Sequence, residues 1–152
     1  MLFRSMFPLE NQSIFYNIEI KKDLGENLPY INGDAQQLNH VFMNIILNAA
    51  DAMDGSGTLY IKSGYSAANH SVRIEIGDTG EGIPQEVLPH IFEPFYTTKE
   101  QGKGTGLGLS MVYGIIESHG GIIYAESTVG EGSTFHIELP AMKTLAEDEK
   151  IG

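Results

Sequence analysis

Ser71-Val72-Arg73-Ile74-Glu75-Ile76-Gly77-Asp78-Thr79-Gly80-Glu81-Gly82 (SVRIEIGDTGEG) alternates apolar and polar residues, then runs into an aspartate flanked by glycines. Val72, Ile74 and Ile76 share one face of a strand. Asp78 keeps their parity, so its carboxylate points to the side that buries those aliphatics. A charge placed there needs a partner. Gly80 and Gly82 remove side chains where a flat ligand could approach the backbone. A buried carboxylate above such a floor can accept a hydrogen bond from an exocyclic amine such as that of adenine. The same residue types also suit a plain turn opening at Asp78.

Working outward, Thr58 to Tyr65 forms a second strand, joined to Ser71–Gly77 by the polar turn Ser66-Ala67-Ala68-Asn69-His70 as an antiparallel hairpin. Ahead of it, Asp34 and Gln37 make a capping box. Leu38, Val41, Phe42, Ile45, Ala49 and Ala52 then recur at helical spacing until Asp54-Gly55. Ile14 to Leu24 reads as a strand, and Leu28 to Ile31 as a short extended piece. Beyond the glycines, Pro84 to His90 suits a short helix, followed by an irregular aromatic segment, Ile91 to Thr98. Leu107 to His119 is a second long helix with Leu107, Met111, Ile115 and Ser118 on one face, stopped by Gly120-Gly121. Ile122 to Ser127 and Ser133 to Leu139 pair around Val129-Gly130-Glu131-Gly132, and Pro140 ends the sheet. The fold class is α+β: a two-layer sandwich of a mixed, mostly antiparallel sheet with helices on one face. One domain, residues 14–140, lies between a lead-in, 1–13, and a polar tail, 141–152.

With 152 residues, one core buries roughly two-thirds of the unfolded chain's surface. The net charge is -11, and the nine Lys and Arg residues are scattered, which argues against a nucleic-acid surface. There is no cysteine, hence no disulfide and no thiolate metal site. No window reaches the ~18 apolar residues of a membrane span, so no membrane contact is expected of this chain. His40, His70, His90, His119 and His136 are dispersed, none is followed by an acidic residue, and all five read as structural or solvent-facing.

Two further clusters carry chemistry. At about 100° per residue, Asn48 falls at the margin of the first helix's apolar stripe, with Asn44 and Asp51 just beyond. This polar ridge suits either a hard cation such as Mg²⁺ or a solvated flank. Gly102-Lys103-Gly104-Thr105-Gly106-Leu107-Gly108-Leu109-Ser110 bares backbone N–H groups ahead of a helix N-terminus, with Lys99 and Lys103 beside it. It matches neither a P-loop nor a Rossmann fingerprint, and reads as a phosphate cradle or as a linker.

Taken in order, these stretches resemble one family: the catalytic ATP-binding domain of two-component sensor histidine kinases, within the GHKL ATPases. Asn44 to Ala52 (NIILNAADA) resembles its N box, Asp78 to Gly82 its first glycine box, Phe92 to Lys99 (FEPFYTTK) its F box, and Gly104 to Leu109 its second glycine box. Gly130-Glu131-Gly132-Ser133-Thr134-Phe135 completes the pattern, and the wording is most similar to the nitrogen-regulation type.

The resemblance implies ATP and Mg²⁺ as cofactors, Asp78 on the adenine amine, and Asn48 as magnesium ligand. Asn44, Asn48 and Lys99 stand at catalytic positions. Asp51, Ala52, Gly80, Gly82 and Ile83 border the nucleotide. Lys99, Lys103, Gly104, Thr105, Gly106, Leu107 and Gly108 form a phosphate-facing lid that orders from Glu100 to Thr105 only over nucleotide. Thr134 is expected at the adenine, yet strand parity sets it opposite Phe135 and Ile137 unless the strand bulges. Two departures stand out. GHKL hydrolases carry an acidic base where this chain has Asn44, and an amide takes no proton at neutral pH, which favours kinase over ATPase. Many relatives have a basic residue where Asp51 stands. The implied activity is transfer of the γ-phosphoryl group to a histidine on a separate dimerisation domain of the same parent kinase, with a response regulator downstream, in the cytoplasm. The phospho-acceptor His-Glu or His-Asp pair does not occur here. A serine kinase of the anti-sigma type, another GHKL ATPase and a pseudo-kinase module are the rival readings.

Overall fold

The structure, a computed structural model, describes residues 16–94 and 108–142. Five strands form one sheet: β1 (Ile18–Asp23), β2 (Gly57–Ser66), β3 (Ser71–Asp78), β4 (Ile122–Thr128) and β5 (Gly132–Pro140), in spatial order β1-β2-β3-β5-β4. β1 runs parallel to β2, and the other three pairs are antiparallel, so the sheet is mixed and mostly antiparallel as expected. The helix α1 (Ala35–Ala52) connects the parallel pair, because parallel neighbours need a crossover long enough to return the chain. The helix α2 (Gly108–Ser118) lies between β3 and β4 in the chain.

The two hairpins match the sequence reading to within a residue or two. β1 is shorter than the strand drawn over 14–24, two of whose residues lie outside the described range. The short helix drawn over 84–90 is a turn that runs into a single 3-10 turn at Leu88–His90: the Val87 and Leu88 N–H groups share the Pro84 carbonyl, and no α-helix continues from them.

Asp34 caps α1, its Oδ1 accepting the Gln37 N–H at 3.1 Å. From there Leu38, Val41, Phe42, Ile45, Ile46, Ala49 and Ala50 are buried, with α1 packed against both α2 and the sheet. In α2 the buried residues are Val112 and Ile116, with Leu109 and Ile115 partly covered, while Met111 is 48% exposed. The expected stripe Leu107-Met111-Ile115-Ser118 is therefore rotated. Apolar residues recur on two sides of α2, and packing against α1 and β4 selects one of them.

The helices run antiparallel, tied at one end by His119. Its Nε2 accepts the Asp34 N–H at 3.1 Å, and its Nδ1 lies 2.8 Å from the Ile115 carbonyl, so the tautomer protonated on Nδ1 satisfies both. At the other end a Cβ on Gly108 would lie 3.2 Å from the Asn44 Oδ1. Among the described residues, no helix is long and apolar enough to cross a membrane.

Two glycines of this layer separate backbone cost from packing. A methyl group on Gly114, inside α2, would meet nothing within 4 Å, whereas a Cβ on Gly121 would lie 2.5 Å from the Glu138 carbonyl oxygen. We expect Gly114→Ala to stabilise the fold by about 0.5–1 kcal/mol, and Gly121→Ala to destabilise it by about 1–3 kcal/mol. Urea unfolding of both variants checks this, and a Gly121→Ala midpoint at or above wild type would contradict the β4–β5 packing.

Candidate functional site

The helix-facing side of the sheet is built in lateral rows. Register aligns Ser63, Ile74, Ile137 and Ile123 in one row, and Ile61, Ile76, Phe135 and Ala125 in the next. The row after that is Leu59, Asp78, Ser133 and Ser127. Across three strands it turns polar just where the sheet ends. Two of its members, Asp78 and Ser133, are among the few buried polar residues of the described range. The strand parity that placed Asp78 beside Val72, Ile74 and Ile76 is thus realised.

Backbone donors hold the Asp78 carboxylate. The Gly80 N–H donates to Oδ1 at 2.9 Å, and the Ser133 N–H donates as well. Burial outweighs both: it lifts the Asp78 carboxyl above the ordinary carboxylate range, against the downward pull of those two bonds.

Above this floor opens a cavity of about 550 Å³. The last turns of α1 supply one wall, with Asn48, Ala49, Asp51 and Ala52. The loop after β3 supplies another, with Gly82, Ile83, Pro84 and Val87, and Leu109, Val129 and Phe135 add apolar surface. A mostly apolar slot with a buried carboxylate in its lining suits a flat heterocycle bearing an amino group.

The loop wall is pinned to the β4–β5 turn. The Ile83 N–H donates to Ser127 Oγ at 2.7 Å, Gln85 Nε2 to the Ser127 carbonyl at 2.8 Å, and the Gly130 N–H to the Glu81 carbonyl at 2.8 Å. Gly82 sits at φ +77, and a Cβ there would lie 2.4 Å from the Thr128 carbonyl oxygen. A Cβ on Gly80 would lie 2.6 Å from the Ala52 carbonyl oxygen. Both glycines therefore serve the backbone's own close approach. The open floor read into them is corrected, although Gly82 does border the cavity and Gly80 lends its N–H to Asp78.

Of the residues singled out in the sequence, Asn48, Asp51, Ala52, Asp78, Gly82 and Ile83 converge on this cavity. Asn44 stands outside its lining: Nδ2 donates to the His40 carbonyl at 2.9 Å, and the amide sits beside the first residue of α2. Thr134 is a correction. The β3–β5 register runs unbroken from Ser71↔Pro140 to Asp78↔Ser133, so no bulge rescues it, and Thr134 borders a separate recess on the opposite face with Tyr60 and Lys62. Its neighbours Ser133 and Phe135 line the cavity instead, and the parity of Phe135, Ile137 and Leu139 was the signal that identifies them. Lys99, Lys103, Gly104, Thr105, Gly106 and Leu107, with the ordering expected from Glu100 to Thr105, lie outside the described residues.

The family model for histidine kinase-, DNA gyrase B-, and HSP90-like ATPases matches residues 33–143. The chain is 45% identical over 139 residues to sensor kinase CckA of Brucella abortus, and 45% identical over 132 residues to sporulation kinase A of Bacillus subtilis. These alignments cover 83% and 87% of this chain but only 15% and 21% of those proteins, so the chain spans about a fifth of their length or less. Among solved structures, the catalytic domain of histidine kinase ThkA is 34% identical with a TM-score of 0.78, over 91% of this chain and 89% of that one. Full-length ShkA in complex with AMPPNP is 26% identical with a TM-score of 0.76, over 90% of this chain and 28% of ShkA.

The raised Asp78 carboxyl has a consequence for stability. Just above the ordinary carboxylate range the folded state binds the proton that the unfolded chain has released. Stability from this group is therefore full below that range, and is lost as pH rises through the folded value. Asp78→Asn cannot ionise, so its stability relative to wild type should rise as pH climbs out of the ordinary carboxylate range, followed by denaturant unfolding at a series of pH values. A difference that stays constant or falls would contradict the buried carboxylate.

Proposed function

The chain belongs to the family of histidine kinase-, DNA gyrase B- and HSP90-like ATPases, and from that premise we propose that it is the ATP-binding catalytic domain of a sensor histidine kinase. The observation that carries this reading is the buried Asp78 carboxylate in the lining of a mostly apolar slot. An adenine amine donates to it, while Ile83, Val87 and Phe135 cover the ring. The relation to ShkA, whose structure holds AMPPNP, supports an adenine nucleotide as the occupant.

From the adenine end, the phosphates extend past Asn48 and Asp51, one turn apart on the α1 wall. Their oxygen donors fit Mg²⁺, and Asn48 is the proposed ligand. When bound, the ion neutralises charge on the phosphate oxygens. Lys99, Lys103 and the backbone of Gly104 to Gly108 are proposed to hold the β and γ phosphates, taking the load that a basic residue at Asp51's position carries in many relatives.

The reaction is in-line transfer. An imidazole nitrogen of a separate dimerisation domain supplies its lone pair to the γ-phosphorus, the bond from phosphorus to the bridging oxygen breaks, and ADP leaves. Neutral histidine needs little base help, and Asn44, with Nδ2 on the His40 carbonyl, offers no base for water. The phosphoryl group then passes to an aspartate of a response regulator. Dependence on cellular ATP places this domain on the cytoplasmic side.

Incubating the chain with ATP and a histidine-bearing dimerisation domain should yield an acid-labile, base-stable phosphoprotein. An acid-stable product would identify a serine kinase, and free phosphate alone an ATPase. Asp78→Asn should lower ATP affinity roughly 10- to 100-fold, the worth of a hydrogen bond to a charged group, with the fold retained. Wild-type affinity in that variant, measured by calorimetry, would refute the adenine assignment.

A further inference from the structure

Ser127 lies outside every motif above, yet its hydroxyl has three partners. It receives the Ile83 N–H at 2.7 Å, lies 3.0 Å from the Gly132 carbonyl, and lies 2.8 Å from Ser133 Oγ. A serine hydroxyl has one proton and two lone pairs. The Gly132 carbonyl can only accept, so it takes the Ser127 proton. One lone pair takes the Ile83 N–H, leaving the other for Ser133. All three contacts are satisfied only when Ser133 is the donor to Ser127.

That assignment fixes the character of the cavity floor. The Ser133 hydroxyl proton is committed to Ser127, so toward the cavity Ser133 offers lone pairs alone. Its N–H is likewise committed, to Asp78. The Gly80 N–H is held by Asp78 and the Ile83 N–H by Ser127. Asp78 and Ser133, neighbours in one lateral row, thus present acceptors side by side. We infer that Ser127 is a positioning residue that makes this floor acceptor-only, and so sets a preference at the purine 6-position for a group that donates, a 6-amino over a 6-oxo group. This rests on the adenine reading of the cavity. It deepens that reading by adding a residue that touches no ligand itself.

The test is calorimetric binding of ADP and of IDP, its 6-oxo analogue, to the wild-type chain and three variants. Wild type should favour ADP. Ser127→Ala frees the Ser133 proton to donate to a 6-oxo group, so the ADP-to-IDP preference should narrow roughly 3- to 10-fold, about one neutral hydrogen bond. Ser127→Thr keeps the hydroxyl and should restore the wild-type ratio. A purely structural role, through the pinning of Ile83, would weaken both nucleotides by the same factor and leave the ratio unchanged, and that result overturns the inference. Should Ser127→Ala fail to fold, Ser133→Ala decides. It leaves the Ser127 bonds to Ile83 and Gly132 in place, and must also narrow the ratio; an unchanged ratio overturns the inference. An ADP preference that Ser127→Ala leaves unchanged refutes this inference alone, whereas equal affinity of wild type for ADP and IDP, or binding of neither, refutes the adenine reading and this inference with it.

Discussion

A carboxylate held almost out of water is the constraint around which this structure is arranged. Burial works against the ionised form of Asp78, and only backbone donors at fixed positions offset it. One comes from the turn that follows β3, the other from the strand beside it. Each requires a neighbour to approach closely. Gly80 can bring its N–H to Asp78 because it carries no Cβ to meet the end of α1. The Ser133 N–H is in place because β5, the last strand of the chain, pairs beside β3 in the middle of the sheet.

The row pattern of the sheet places the site at the boundary between core and solvent. Across β3, β5 and β4, successive rows on the helix side are aliphatic or aromatic until the one holding Asp78, Ser133 and Ser127. The apolar rows supply cohesion, and the polar row is tolerable because its groups bond to one another and to the Ile83 and Gly80 backbone. The lone pairs that these bonds leave over on Asp78 and Ser133 border the cavity.

The helix layer fixes the other side of the cavity. His119 clamps the far end of α2 to the start of α1, and the Gly108–Asn44 approach sets its near end beside the α1 ridge. The helix thereby brings Leu109 to the cavity opposite the strand that carries Phe135. His119 and His136, read from the sequence as structural or solvent-facing, are part of the framework: His136 stacks on Tyr124 at 4.7 Å on the outer face of the sheet.

Much of this is written locally in the chain. The two-residue period of β3 fixed the face of Asp78, the cap at Asp34 and the stripe from Leu38 fixed α1, and turn residues fixed both hairpins, because each depends on contacts a few residues apart. The sequence also set Phe135 and Ile137 on one face and Thr134 on the other, and the structure resolves that conflict in favour of parity. What the chain could not state locally was which strands become neighbours. The order that seats β5 between β3 and β4, the row joining Asp78 to Ser133 and Ser127, the side of α2 that is buried, and the backbone role of Gly80 and Gly82 all arise from contacts between distant segments. Those contacts are chosen by burying the whole apolar surface at once, and no single stretch of sequence contains that sum.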